Sequence, residues 1–162
     1  MSSGTATFLR IMRHPLKYKL FLLFKLPSAF FSGVRVRAVT ETFSEVTVPY
    51  MWITQNPFRS TYFASLAMAA ELSTGVLAMA HLYKSETRVS MLVVKLEAQY
   101  FKKATRRTHF FCADGASFKE AIDRAVTTGE PQTVTATAAG SDASGTEIAL
   151  FRFTWSFKVR KG

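Results

Sequence analysis

The sequence predicts a single α+β domain in which strands wrap one long, apolar helix. Three observations carry this. The chain has 162 residues, enough for one domain with a properly buried core. It is 48% hydrophobic and 20% charged, the balance of a folded globular protein and not of a disordered or fibrous one. A central stretch is apolar at almost every position, and the segments after it alternate apolar and polar residues as strands do.

Residues 8–24 read as helix broken at Pro15. Phe8, Leu9, Met12, Leu16, Leu20 and Leu23 fall on one face; Arg10, Arg13 and Lys17 fall opposite, and Lys19 breaks the pattern. Such a basic amphipathic helix packs on its own domain or lies on a membrane surface. Packing is the favoured reading, with residues 1–33 a helical segment on a domain spanning 34–162. The apolar stretch after Leu20 ends at Lys25 and no small-residue cleavage site follows, so export is not expected and the location is read as cytoplasmic.

Residues 34–42 alternate, with Val34, Val36 and Ala38 on one face and Arg35 and Arg37 on the other. Residues 45–52 form a second strand, with Val46, Val48, Tyr50 and Trp52 facing together. The short connection between them predicts a hairpin. A loop at residues 55–59 leads to a helix over 61–82, with Ser60 or Thr61 as N-cap. Gly75 within it costs about 1 kcal/mol against alanine unless close packing requires it. Residues 88–103 form a long strand that continues through 105–113. A helix over 116–127 carries Phe118, Ala121, Ile122 and Ala125 on one face. Residues 131–139 form a strand and 140–145 a turn. The last strand, 146–160, has Phe151, Phe153, Trp155, Phe157 and Val159 on one side.

Several chemistries are excluded. Cys112 is the single cysteine, so there is no disulfide framework and no paired-cysteine motif; it reads as core filling. His14, His81 and His109 lack metal-ligand spacing, and neither a metal nor a cofactor is expected. No nucleophile elbow, phosphate-binding loop or dinucleotide fingerprint is present. The net charge is +10, which suits nucleic acid, anionic lipid or a phosphate-bearing ligand, or reflects solubility alone. Nucleic acid is not expected: no readout motif exists and the aromatics fall in strand patterns.

Between Thr61 and Met79 the central helix carries one residue that is charged at neutral pH when in water, Glu71. A carboxylate in an apolar helix is desolvated, which raises its pKa toward the range of acid–base catalysis. The alternative is a structural role, at the helix rim or paired with Arg88. Asn56 precedes the helix, where an amide can bind a carbonyl or orient water; an Asn before Pro57 is more simply a turn residue. The amides around Ser60, Thr61, Tyr62 and Phe63 form a helix start that can polarise a carbonyl oxygen. Met51, Met68, Met79 and Met91 belong to the core or line an adaptable apolar pocket.

The element order, with the run from Asn56 through Glu71 to Gly75, resembles the hotdog fold, a curled antiparallel sheet around one long helix. It is most similar to an uncharacterised bacterial branch near the phenylacetate-type acyl-CoA thioesterases. The resemblance implies a homodimer or tetramer with sheets joined edge to edge and ligand sites between subunits. It implies Glu71 as general base or nucleophile, Asn56 as the pre-helix Asn, and helix-start amides at the oxyanion. Many relatives have His-Gly-Gly in the first turn, where this chain has Tyr62-Phe63-Ala64. The expected activity is acyl-CoA thioester hydrolysis, with Lys102, Lys103, Arg106, Arg107, Lys158 and Arg160 as candidates for the phosphates. The alternative is a non-catalytic protein that binds an acyl group or lipid, with peripheral membrane contact a lesser possibility.

Overall fold

A computed structural model describes residues 3–160. Three helices lead the chain: α1 (Ser3–Arg13), α2 (Pro15–Lys25) and α3 (Pro27–Phe31). Strands β1 (Arg35–Val39) and β2 (Ser44–Val48) form the expected hairpin, and a 3-10 turn at Trp52–Thr54 precedes α4 (Phe63–Leu82). Then come β3 (Val89–Tyr100), β4 (Thr108–Cys112), α5 (Gly115–Thr128), β5 (Gln132–Ser141) and β6 (Glu147–Val159). The strands make one six-stranded antiparallel sheet in the order β1-β2-β4-β5-β6-β3.

The sheet curls around α4, whose Ala69, Ala70, Val76, Leu77 and Ala78 are fully buried. By length and composition α4 could cross a membrane, but two thirds of it lies inside the fold, which makes it the core helix. The alternation of β6 supplies the facing layer: Phe151, Phe153, Trp155 and Phe157 are buried while Arg152 and Lys158 are exposed. Two polar ties fix the helix on the sheet. Ser44 Oγ donates to the Ser73 carbonyl at 2.5 Å, and Trp155 Nε1 donates to Thr74 Oγ1 at 3.0 Å.

The structure departs from the sequence reading in four places. Strand β2 stops at Val48, because Pro49 has no N–H for a ladder. Tyr50 and Trp52 therefore leave the sheet, and Trp52 is 83% exposed. The long strand of 88–113 is two strands: β3 is an edge, β4 lies inside the sheet, and residues 101–107 cross between them. Helix α4 begins at Phe63 with Tyr62 as N-cap and no side-chain cap, since Thr61 is held by the Ala104 carbonyl through both its N–H and its hydroxyl.

The fourth departure is at the N-terminus. Pro15 ends α1 and starts α2 in a new phase, with His14 as N-cap accepting from the Lys17 N–H. Phe8, Leu9 and Met12 are buried, but on α2 the inward residues are Tyr18 and Leu22. Leu16 and Leu20 face outward and Leu23 is half-buried. The Tyr18 hydroxyl donates to the Val34 carbonyl and accepts from the Val36 N–H, and burial pushes its pKa up to about 12.

Candidate active site

Glu71 lies in a cavity of about 310 Å³ between α4, β6, β3 and the N-terminal helices. Phe21, Lys25 and Leu26 form its outer wall; Leu72, Gly75, Met79, Met91 and Trp155 form the rest. Among the described residues, no hydrogen bond or ion pair reaches the Glu71 carboxylate, and the structural partner considered, Arg88, makes none with it. Burial alone pushes its pKa above the ordinary glutamate value of 4.5. Gly75, one turn on, keeps this space open: a methyl added there would meet Glu71 Oε1 and the Trp155 ring at 3.4 Å. Trp155 is oriented by its bond to Thr74, whose hydroxyl in turn donates to the Glu71 carbonyl at 2.9 Å. The ring thus forms part of the apolar lining of the cavity that holds the carboxylate.

The other candidates line a second cavity, a groove of about 720 Å³ at the start of α4. Asn56, Ser60, Thr61, Tyr62 and Phe63 are all on it, together with Tyr100, Lys102 and Lys103. Asn56 is spent on its own loop. Its Oδ1 accepts from the N–H groups of Phe58 and Ser60, and its Nδ2 donates to Ser60 Oγ at 3.2 Å. These bonds stabilise the tight loop in which Arg59 adopts φ of +58°.

The helix-start amides divide sharply. The Ser60 N–H goes to Asn56 Oδ1, the Thr61 N–H to the Ala104 carbonyl and the Tyr62 N–H to the Thr54 carbonyl. Ser65 and Leu66 turn back to the Tyr62 carbonyl. That leaves the N–H groups of Phe63 and Ala64, among the described residues, without an acceptor. These two point out of the positive end of a 20-residue helix.

Within one chain the carboxylate and these amides are apart. The eight residue steps from Phe63 to Glu71 span about 12 Å of helix axis. The expected cations are likewise dispersed. Lys102 and Lys103 edge the groove, whereas Lys158 and Arg160 line a different cavity with Ser90 and Glu130. Arg107 is on the outer sheet face, where burial and the charges of Arg37 and Arg35 lower its pKa. Cys112 is buried, and burial raises its pKa to about 12, as suits core filling and not a nucleophile. Met79 and Met91 do line the Glu71 cavity, whereas Met51 is 39% exposed. Sequence reading missed Trp155 and the wall from α2, because neither is near Glu71 in the chain; of the helix-start amides it named, Ser60 to Phe63, the Phe63 N–H is the one without an acceptor among the described residues, and Ala64 was not named.

Known structures share this architecture. A protein of unknown function from Pseudomonas aeruginosa, described as a "Probable Thioesterase", superposes with a TM-score of 0.76 at 16% identity, over 90% of this chain and 97% of its own. The Haemophilus influenzae thioesterase gives 0.63 at 15% identity, over 86% and 88%. The PaaI protein from the phenylacetic acid degradation operon of E. coli gives 0.62 at 10%, over 96% and 97%. No curated protein matches the sequence. At these identities the likeness establishes the fold, which is the hotdog fold. A family model described as a domain of unknown function, DUF4442, matches residues 18–157. This chain, a hotdog domain with N-terminal helices around a desolvated glutamate, belongs to the DUF4442 family.

Proposed function

We propose that this protein hydrolyses acyl thioesters, with acyl-CoA as the substrate class, at sites formed between two copies of the chain. The observation that carries the reading is the Glu71 carboxylate, unpartnered in an apolar cavity and raised in pKa. A desolvated carboxylate is a stronger base than one in water, and it sits where an acyl chain can displace solvent. In the reaction Glu71 takes a proton from water as the oxygen attacks the thioester carbonyl. The Phe63 and Ala64 N–H groups hold the tetrahedral oxyanion. Collapse expels the thiolate, which receives the proton from Glu71.

The sheet edge supports the dimer. Leu96, Ala98 and Tyr100 pair with the inward-facing Phe153, Phe151 and Ala149, so they share the face that packs on α4. Yet Leu96 is 47% and Tyr100 48% exposed, and from Val94 on every residue of β3 is exposed. A twelve-residue edge strand with an uncovered apolar inner face calls for a partner. Antiparallel pairing of β3 with its copy sets the Met91 end of one beside the Tyr100 end of the other. Met91 lines the Glu71 cavity and Tyr100 lines the groove of the free amides. Each carboxylate then faces the other copy's amides, with Lys102 and Lys103 near the phosphates.

The experiment is a panel of short, medium, long and aromatic acyl-CoAs, followed by free thiol release. Hydrolysis of some members is expected; no release from any member sinks the enzyme reading. Phe63→Pro isolates the oxyanion role. Proline is accepted at the first helical position and Tyr62 already has the extended ψ of 135° that precedes it, so only a free N–H and the ring are lost. Against Phe63→Ala, which removes the ring alone, kcat is expected to fall a further factor of about 10²–10³. Equal rates for the two variants count against the amide. Gly75→Ala should add about 1 kcal/mol of helix stability in a urea titration. Gly75→Leu, which overfills the cavity, should raise KM most for the longest acyl chains.

One feature favours a second reading, acyl binding without turnover. The rings of Tyr62 and Phe63 meet edge to face at 4.8 Å over the helix start, and crowd the approach to the amides. A co-purifying acyl ligand with no hydrolysis identifies that case.

A further inference from the structure

We infer that α2 docks this protein on the surface of an anionic lipid bilayer. The inference does not depend on the thioesterase reading. Leu16, Leu20 and Phe24 recur at every fourth residue of α2 and are 62%, 45% and 76% exposed. At about 100° per residue they form one stripe, opposite the buried Tyr18 and Leu22. Lys17 and Lys19 flank the stripe on its two sides, the arrangement in which lysines extend to headgroups while the helix lies at the acyl boundary. Phe31 at the end of α3 adds a further ring, 60% exposed.

Charge identifies the partner. The first 40 residues contain seven lysines and arginines and no aspartate or glutamate, so they carry most of the net charge of +10. Arg10, Arg13, Lys17, Lys19 and Lys25 are all exposed on the two helices α1 and α2. Another copy of the chain would bring the same unrelieved positive charge against it. An anionic bilayer answers both the apolar stripe and the cations. The inner side of the same helix supplies Phe21, Lys25 and Leu26 to the Glu71 cavity, so docking sets that cavity one helix thickness from the lipid.

Co-flotation of the full chain with vesicles of phosphatidylcholine alone, or with a third phosphatidylglycerol, tests this. Binding to the anionic vesicles only, weakened by added salt, is expected. Leu20→Asp with Phe24→Asp alters only exposed side chains and should lower partitioning about tenfold or more, as should Lys17→Glu with Lys19→Glu. Melting temperature and light-scattering mass report that the variants still fold and assemble. Three results overturn the inference: no flotation with anionic vesicles; loss on lysine replacement but none on Leu20/Phe24 replacement, which is charge adsorption alone; or a changed oligomer mass with unchanged flotation, which makes the stripe a contact between copies.

Discussion

Glu71→Gln is expected to abolish thioester hydrolysis and, at neutral pH, to raise the melting temperature. Both effects come from one cause. The carboxylate is held in an apolar cavity with no hydrogen bond or ion pair to offset its desolvation, among the described residues. A general base contributes about 10²–10⁴ in rate, and kcat should fall by that amount. Glutamine keeps the shape, removes the charge and relieves the fold of it. The pH dependence gives the sign. The folded pKa lies above the unfolded value near 4.5, so between the two the native state binds more protons. Stability contributed by the protonated acid is therefore lost as pH rises through that window. The glutamine variant should gain nothing below the unfolded value and gain its full margin above the folded one. Differential scanning fluorimetry across that range, beside the thiol-release assay, reads both effects. An unchanged rate removes Glu71 from the chemistry; a variant that melts lower at neutral pH contradicts the account of its environment.

Leu96→Lys is expected to split the proposed dimer and to remove activity with it. Lysine on an exposed edge strand blocks pairing with another strand without disturbing the strand's own ladder. Leu96 is half exposed in the single chain, so the isolated fold should tolerate the change. Light scattering should then read one chain of 18.1 kDa where the parent reads twice that mass. Turnover should fall by about 10² or more, the cost of an absent oxyanion donor, because each Glu71 has lost the amides of the other copy. Circular dichroism should be unchanged. A monomer with full activity contradicts the shared site.

The fold was legible because its signals are local. The apolar run of α4 and the alternation of β6 each occupy one continuous segment, and together they specify a helix wrapped by a sheet. Two of the errors arose where a proline reset the chain. Pro49 ended β2 before Tyr50 and Trp52 could join it, and Pro15 restarted the helix so that Tyr18 and Leu22 turned inward in place of Leu16 and Leu20. Glu71 was legible as the single acidic or basic residue in an apolar stretch. The availability of the amides was not. It depends on the Ala104 carbonyl, 43 residues away, taking the Thr61 N–H and hydroxyl, and on Asn56 closing its own loop. Nor was the division of the candidate residues between two cavities, since a helix's length becomes a separation only when the sheet closes around it.

The central claim, that each site joins Glu71 of one copy to the helix-start amides of the other, is tested most directly by mixing two inactive variants. Glu71→Gln and Phe63→Pro are unfolded together, refolded as mixed dimers and assayed for thiol release. In a mixed dimer one of the two sites pairs an intact Glu71 with an intact Phe63 amide. The account therefore predicts recovery to about a quarter of the parent rate, since half the dimers are mixed and half their sites are whole. A mixture as inactive as its two components, with mixed dimers present, contradicts the shared site.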